Sequence, residues 1–482
     1  MFAYIFIFLL ALTPALQAVF DLTLQLALQR AVLCAAAAWL LLKAYGEGLP
    51  GGLGSRKFYP LWAAALLTLL SLVFSPFRGW IYNEWGNYAA GLLVFLFASY
   101  IDKEGRDRVE RGILWGAWLV FAISVAQAFV LRNFAARPPL TNLNALALYA
   151  VMLLPLALGR RNWALAAALS VLVVWTQSLG AALAGLAAAG AYALSRLGGR
   201  QWRENLLPLT VLGGLAAFVF YLLQADSVAG RLAWWRSAWD MFLARPLSGF
   251  GHASYTWAQA AFQPDGAFRE HAIYAHNYYL EFLAENGLPA AAAWFWLIFS
   301  GLRRRQGLAK YALVAALAHS LVDFGLSVPA NFWIFCWLLA SPADEVPAEK
   351  PARPALVTGA VLAVLLAASL LALDLRSLAF ERARGRALAA AAAGGLPAAE
   401  AALGTALAPG LLRGPALEFL GRLAAGDKIA PPGYRSAVYY EMALLENRYC
   451  AGAWGALRRI YSAPGLEARA EGLERRRREV YR

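Results

Sequence analysis

Charged side chains are scarce in this chain: Asp, Glu, Lys and Arg make up 15% of its 482 residues, whereas 61% of the residues are hydrophobic. About a quarter of a soluble domain is charged, so this composition excludes an ordinary soluble globular protein. Apolar runs long enough to cross about 30 Å of hydrocarbon recur along the chain. The sequence therefore predicts a polytopic membrane protein whose surplus apolar surface faces lipid.

Cysteine is also rare, and its three positions, Cys34, Cys336 and Cys450, are far apart. They form no CxxC pair, so the sequence excludes a disulfide framework and a cysteine zinc site. An HExxH motif is missing too, and we predict that the protein uses no metal and no other cofactor. The formal charge of +14 would favour a nucleic-acid partner in a soluble protein. Here most basic residues lie in short loops between apolar segments, where they set membrane topology, so we predict no nucleic-acid partner.

The apolar segments predict an all-α bundle of about thirteen membrane spans. The first, Phe2–Phe20, has no basic residue before it, so we expect a span rather than a signal peptide. Lys and Arg concentrate in every second loop, which predicts that these loops, at 43–57, 102–111, 160–161, 196–203, 303–310 and 350–353, are cytoplasmic. An odd number of spans then places the C-terminal tail outside the cytoplasm.

These spans divide the chain into two predicted domains. Residues 1–373 form the transmembrane domain, and within it residues 224–287 include a long extracytoplasmic loop. Residues 374–482 form an extracytoplasmic α-helical tail, in which the segments 386–407 and 437–480 have the pattern of helical hairpins. Small and aromatic residues stand where tetratricopeptide repeats carry theirs. The tail is either a TPR-like docking module or a plain helical cap.

The long loop carries a helix with Arg231 predicted at its entry, followed by a turn at residues 245–251, RPLSGFG. Proline and two glycines indicate a sharp turn back toward the membrane. Gly249-x-Gly251 is no dinucleotide fingerprint, because no strand precedes it and the third glycine is missing.

His276 is one of only four histidines, and it stands at the start of the next helix in the motif HNYYL. Because the pKa of an imidazole lies near neutrality, His276 is a candidate general base at the membrane boundary. The alternative is an interfacial hydrogen-bonding residue. Asn277 is a natural helix cap. His276, Leu280, Leu283 and Gly287 recur at helical spacing and are predicted to share one face.

Other polar residues accompany His276 on the predicted outer side. Arg132, Arg137 and Arg236 belong to a set of arginines that suits a diphosphate, because a guanidinium binds phosphate oxygens bidentately. Interfacial anchoring is the alternative for each of them. His319 and Asp323 are four residues apart within a predicted span and can face each other on one helix. They are either functional or a buried structural pair.

The order of these motifs resembles the O-antigen ligase and polymerase superfamily. The matching elements are RLxxWxxAW from Arg231, RPLSGFG at 245–251, and HNYYL at 276–280 with ENGLP at 285–289. The asparagine pair Asn142 and Asn144 resembles an earlier span of the family, and HxxxD at 319–323 resembles a late one. The resemblance covers roughly residues 140–342.

The resemblance implies an integral-membrane glycosyltransferase of the bacterial inner membrane that needs neither a nucleotide sugar nor a metal. Its donor would be a glycan on undecaprenyl diphosphate, and the acceptor hydroxyl would lie outside the cytoplasm. His276 would deprotonate the acceptor and Arg231 would hold the diphosphate, with inversion at the anomeric carbon. Asn277, His319 and Asp323 match family motifs and are expected, with the arginines, to contribute to substrate binding.

One position departs from the family pattern. The family has Ser-Arg-Gly at the outer end of a middle span, whereas this chain has Ser178-Leu179-Gly180. Because this arginine is missing, we predict that Arg132 or Arg137 binds the diphosphate in its place, or that the donor is held differently.

The sequence leaves three alternatives for the acceptor: another glycan unit, a lipid A core or a protein hydroxyl. The extra span and the helical tail favour a polymerase or a protein O-oligosaccharyltransferase over a plain ligase. The competing class is a transporter or flippase, which would show duplicated halves and midplane charges.

Overall fold

The computed structural model describes residues 2–16, 22–46, 55–130, 140, 142–196, 225–263, 272–341, 353–425 and 434–480. Within these ranges the protein is built of eighteen α-helices with short 3-10 and π segments and contains no strand. The all-α prediction is thereby confirmed. The predicted span at 206–223, the candidates Arg132 and Arg137, and most of the predicted cytoplasmic loop at 196–203 lie outside the described residues.

The helices follow one another in three groups. The first group is α1 (Phe2–Leu12), α2 (Leu22–Gly46), α3 (Tyr59–Val73), α4 (Arg78–Tyr100), α5 (Lys103–Val125), α6 (Leu143–Gly159), α7 (Trp163–Trp175) and α8 (Leu179–Arg196). The second is α9 (Ala225–Ala244), α10 (Tyr255–Ala258), α11 (Tyr278–Arg304), α12 (Leu308–His319) and α13 (Pro329–Leu339). The third is α14 (Arg353–Leu403), α15 (Arg413–Ala424), α16 (Tyr434–Glu446), α17 (Ala451–Tyr461) and α18 (Glu467–Val480).

Five of the helices described are long and apolar enough to cross a membrane, and six more are apolar with 10–17 residues. They pack as a bundle in which α3 lies against α11, α4 against α13, and α12 against both α6 and α8. Its centre holds fully buried aromatic side chains, including Trp294, Trp333 and Trp337. The all-α membrane bundle is supported, while the number of thirteen spans stays a prediction.

Short polar side chains start several of these helices. Asp102 caps α5 by accepting a hydrogen bond from Gly105 N at 3.0 Å. Asn142 and Asn162 cap α6 and α7 in the same way. In an apolar bundle such caps satisfy backbone donors that lipid cannot satisfy.

Three of the loops predicted to be cytoplasmic meet at one end of the bundle. Arg160 pairs with Asp107 at 2.6 Å and with Glu110 at 3.0 Å, and Arg305 pairs with Glu110 at 3.3 Å. Helix α11 ends at Arg304 beside this cluster and begins at Tyr278. The basic loops and the HNYYL motif therefore lie at opposite ends of the bundle.

Helix α11 is broken at Gly287, and the turn of residues 245–251 fits into the break. Gly287 has φ 76° and ψ 170°, a backbone conformation that is essentially restricted to glycine. Backbone hydrogen bonds join Phe250 N to Ala284 O at 3.2 Å and Leu288 N to Pro246 O at 2.8 Å. The RPLSGFG and ENGLP motifs thus form one structural unit, in which each satisfies backbone groups of the other.

The C-terminal helices pack on the end of the bundle opposite the basic loops. Helix α14 is continuous through Asp374, whose carboxylate pairs with Arg30 on α2. It breaks at Gly395, as the predicted hairpin requires, and Ala387 packs with Leu396 across the break. The division at residue 374 therefore falls within a helix; the two-domain description and the TPR-like character stay predictions.

We predict that Gly287→Ala destabilises the protein more than Gly307→Ala. Both glycines have the same kind of backbone, with Gly307 at φ 67° and ψ −165°, so each substitution carries a strain of about 1–3 kcal/mol. A Cβ at Gly287 would also overlap the carbonyl oxygen of Leu247, whereas a Cβ at Gly307 meets nothing within 4 Å. Thermal unfolding of the purified variants in detergent measures the difference. Equal melting temperatures for the two variants would contradict the interlocked turn.

Candidate active site

Three separate segments bring His276, Asp323 and Arg231 together at the end of the bundle opposite the basic loops. Asp323 Oδ2 lies 3.7 Å from His276 Nδ1 and 3.9 Å from Arg231 Nη2. The carboxylate is buried, with 4% of the side chain exposed, whereas the His276 side chain keeps 21% of its surface exposed. A buried carboxylate thus lies between an imidazole and a guanidinium.

Asp323 owes its position to the end of α12. The helix ends at His319, and Asp323 lies on the following turn, where its backbone N donates to His319 O at 3.1 Å. Its Oδ1 accepts from Phe324 N at 2.7 Å, which leaves Oδ2 facing the His276 ring and the Arg231 guanidinium. The expectation that His319 and Asp323 pair on one helix is wrong for this reason.

His319 is fully buried behind the cluster. Within the described part of the chain, neither of its ring nitrogens has a hydrogen-bond partner. Gly180 and Gly325 both lie next to the His319 ring. A Cβ atom at Gly180 would be 3.8 Å from His319 Nε2, and a Cβ atom at Gly325 would be 3.3 Å from His319 Cε1. His319 therefore packs between the start of α8 and the segment after Asp323.

The His276 ring is held between two aromatic side chains. It stacks on Trp234 of α9, with ring centroids 5.0 Å apart, and meets Phe324 edge-on at 4.9 Å. Its backbone has φ 52°, which is uncommon for a residue with a side chain. Because Nδ1 is buried and faces Asp323, Nε2 is the nitrogen left for a substrate.

His276 is not part of α11, so the predicted common face with Leu280, Leu283 and Gly287 is wrong. The helix begins only at Tyr278, and it is itself broken at Gly287. Asn277 is its N-cap, and Asn277 Oδ1 accepts from Tyr279 N and Leu280 N, both at 3.1 Å. The capping alternative for this residue is confirmed.

Of the other arginines predicted to bind substrate, the structure describes only Arg236, and it does not join the cluster. Arg236 lies on α9 with 73% of its side chain exposed and pairs with Asp240 at 3.9 Å. Helix α9 begins at Ala225, so Arg231 stands within the helix rather than at its entry as predicted.

Glu281 is a polar residue of this region that the sequence analysis missed. Its Oε2 accepts from Ala275 N at 2.6 Å, and its Oε1 accepts from Ser327 Oγ at 2.7 Å. Ala275 precedes His276 and Ser327 lies four residues after Asp323, so one buried carboxylate ties both segments together. Its only sign in the sequence is that an acidic residue interrupts the otherwise apolar first turn of α11.

The arrangement can perform two chemical tasks. A carboxylate at Nδ1 orients an imidazole and stabilises the imidazolium that forms when Nε2 takes a proton. The neighbouring guanidinium of Arg231 can bind an anionic group, because its N–H donors match carboxylate and phosphate oxygens. A base and an anion-binding group are therefore linked by one buried acid.

Comparison with known proteins agrees with this arrangement. The family model described as O-antigen ligase matches residues 164–295, a stretch that contains Arg231, His276 and both glycine motifs. The match covers about a quarter of the chain, and we refer to the matched stretch as the O-antigen ligase domain. No curated protein gives a significant match to it.

The O-antigen ligase domain confirms the resemblance to the ligase and polymerase superfamily. It supports a glycosyltransferase-type activity in a multi-pass membrane protein, with a lipid-linked glycan donor as the general expectation for the family. The match ends before Asp323, the residue that joins the base to the arginine.

The departure from the family pattern lies within this O-antigen ligase domain. Leu179 is the first residue of α8, and the next residue, Gly180, packs against His319 and Val322. The position at which the family carries arginine is thus next to the cluster, and here it offers no positive charge.

Proposed function

We propose that this protein is a membrane glycosyltransferase that moves a glycan from an undecaprenyl-diphosphate-linked donor to an acceptor hydroxyl. The observation that carries the proposal is Asp323 within 3.7 Å of His276 and 3.9 Å of Arg231. Transfer from a diphosphate needs a base for the acceptor and a cation for the leaving group, and this cluster supplies both.

In the proposed reaction, His276 Nε2 takes the proton of the acceptor hydroxyl as that oxygen attacks the anomeric carbon. The bond from the anomeric carbon to the diphosphate oxygen breaks, and its electron pair leaves with the lipid diphosphate. Arg231 binds that diphosphate, and Asp323 stabilises the protonated imidazole. A single displacement of this kind inverts the anomeric configuration.

We place the reaction at the extracytoplasmic face of a bacterial inner membrane, with the C-terminal domain on the same side. The basic loops meet at the far end of the bundle from the cluster, which supports this orientation through the positive-inside rule. The C-terminal domain reaches the active-site loop through Tyr449, whose ring lies 5.0 Å from that of Phe250.

The proposal includes two candidate enzymes that differ in the acceptor they use. A polysaccharide polymerase or ligase is the first candidate, and a protein O-oligosaccharyltransferase is the second. The packing of Tyr449 on Phe250 favours an enzyme in which the C-terminal domain helps to present the acceptor. The O-antigen ligase domain argues against the transporter alternative.

His276→Ala should abolish glycan transfer while leaving donor binding intact. Loss of a general base lowers turnover by about 10²–10⁴-fold. Full-length enzyme in vesicles, supplied with lipid-linked donor and acceptor extracted from the producing cells, gives the rate, and labelled donor gives the affinity. Turnover of the His276→Ala variant close to that of the wild type would contradict the assignment of His276 as the base.

Two arginines of α9 provide the matched comparison in the same assay. Arg231→Ala should weaken donor binding, because Arg231 is 13% exposed and faces Asp323. Arg236→Ala should have little effect, since its side chain is 73% exposed on another face of the helix. Equal losses in the two variants would contradict a specific role for Arg231.

The topology can be tested with single cysteines on a Cys34→Ser background. Leu445 is 86% exposed in the C-terminal domain, and Glu104 has a side chain 70% exposed in a predicted cytoplasmic loop. In intact spheroplasts a membrane-impermeant maleimide should label Leu445→Cys and spare Glu104→Cys. The opposite labelling would overturn the orientation, and both residues should react after lysis.

A further inference from the structure

A cavity of about 230 Å³ opens beside the catalytic cluster. Its walls carry three carboxylates, from Glu84, Glu281 and Glu285, and the aromatic side chains of Trp80, Trp257 and Tyr274. We call it the acidic–aromatic cavity. The volume equals that of about seven or eight water molecules at roughly 30 Å³ each, which gives room for one sugar unit.

The acidic–aromatic cavity borders the reacting groups on two sides. Tyr274 comes two residues before His276, and it stacks on Phe324, with ring centroids 4.2 Å apart. Phe324 in turn meets the His276 ring edge-on at 4.9 Å. Ser327, another wall residue, lies four residues after Asp323 at the end of the 3-10 segment Gly325–Ser327. A ligand in the cavity would therefore lie next to the base.

The carboxylates of the cavity are held in place by donors from the protein. Glu285 accepts from Ala253 N at 2.8 Å and from Tyr255 N at 2.9 Å. Glu281 is held by Ala275 N and Ser327 Oγ, as described above. Because each carboxyl oxygen carries lone pairs beyond those used by these donors, the fixed groups keep acceptor capacity for ligand hydroxyls.

The third carboxylate is fixed by side-chain amides. Glu84 Oε2 accepts from Gln25 Nε2 at 2.8 Å and from Asn87 Nδ2 at 2.9 Å. Nothing in the part of the chain that the structure describes brings three acidic, histidine or cysteine side chains close enough to hold a metal ion. The carboxylates are spread along the cavity, as separate hydroxyl acceptors would be.

Aromatic rings complete the lining. The apolar faces of sugar rings pack on aromatic side chains, and their hydroxyls need polar partners. Tyr278 adds a further aromatic side chain to the wall, with 3% of its surface exposed. The cavity therefore offers aromatic rings and oxygen acceptors together, which is the combination that a sugar unit needs.

The donor side offers a cation that the cavity lacks. Among the described residues that line the cavity, none is a lysine or an arginine. Its one histidine, His252, is neutral at pH 7, because burial lowers its pKa to about 4. Arg231 does not line the cavity and lies against Asp323. A diphosphate thus finds its cation at Arg231, while a cavity without cations disfavours phosphate and carboxylate groups.

We propose that the acidic–aromatic cavity binds a sugar unit of the acceptor, and that this unit carries no negative charge. The proposal rests on the proposed function and narrows its acceptor class to glycans with a neutral or amino-bearing sugar at the attacking end. The donor diphosphate would then lie at Arg231, and the acceptor sugar would lie in a cavity without cations.

Saturation-transfer NMR on the full-length protein in detergent micelles tests the proposal without any donor lipid. The probes are glucose, galactose, N-acetylglucosamine and glucosamine, with glucose 6-phosphate as the anionic comparison. We expect at least one uncharged or amino sugar to bind, and glucose 6-phosphate to bind at least tenfold more weakly. Failure of all four sugars to bind, or equal binding of the phosphate, would overturn the proposal.

Two tryptophan variants locate the binding. Trp257→Ala, at a cavity residue that is 39% exposed, should weaken sugar binding at least tenfold. Trp239→Ala is the control, since Trp239 is 46% exposed on α9 and does not line the cavity. Wild-type binding by the Trp257→Ala variant would place the sugar elsewhere and overturn the proposal.

The proposed function and the cavity assignment can fail separately. If sugars bind in the cavity but no transfer from lipid-linked donor is detected, the proposed function is wrong and the cavity is still a sugar site. If transfer proceeds while Trp257→Ala changes neither sugar binding nor the KM for the acceptor, the cavity assignment alone is wrong.

Discussion

The buried carboxylate of Asp323 is the constraint on which this site depends. A carboxylate withdrawn from water is stable only when cations or hydrogen-bond donors surround it. Asp323 obtains one donor from Phe324 N and faces His276 and Arg231 with its other oxygen. Those partners come from three segments far apart in the chain, so the packing of α9, α11 and α12 places the base and the arginine together.

The surrounding structure shows how an apolar bundle holds such polar groups. Glu281 ties the segment before His276 to the segment after Asp323, and Glu285 binds the turn that follows residue 251. The break at Gly287 exposes backbone groups that the 245–251 turn then satisfies. Irregular backbone is tolerated at the end of a membrane helix because other protein groups take up its hydrogen bonds.

Local patterns in the sequence predicted part of this arrangement. Hydrophobicity predicted an all-α bundle, Asn277 was recognisable as a cap, and the prolines and glycines of 245–251 marked a turn. His276 and Arg231 stood out because few polar residues interrupt the apolar helices. The glycine break in α11 was not predicted, because helical spacing alone gives no sign that Gly287 leaves the helix.

The pairings across the chain could not be predicted from local patterns. Helical spacing suggested a His319–Asp323 pair, but the helix ends at His319 and turns Asp323 toward His276 instead. Arg231 and Arg236 had similar surroundings in sequence, and only the packing of α9 separates a buried arginine from an exposed one. Glu281 and the acidic–aromatic cavity depend on several segments at once, so a single motif could not indicate them.

If Asp323 acts through His276, the two residues form one functional unit, and a double-mutant cycle on the glycan transfer rate measures this coupling. Transfer would be measured for Asp323→Asn, His276→Ala and the double variant, at saturating donor. Groups that act as a unit are strongly non-additive. We expect Asp323→Asn to slow the wild type by at least about tenfold and to have almost no further effect once His276 is alanine. Losses that multiply in the double variant would mean that Asp323 and His276 act independently.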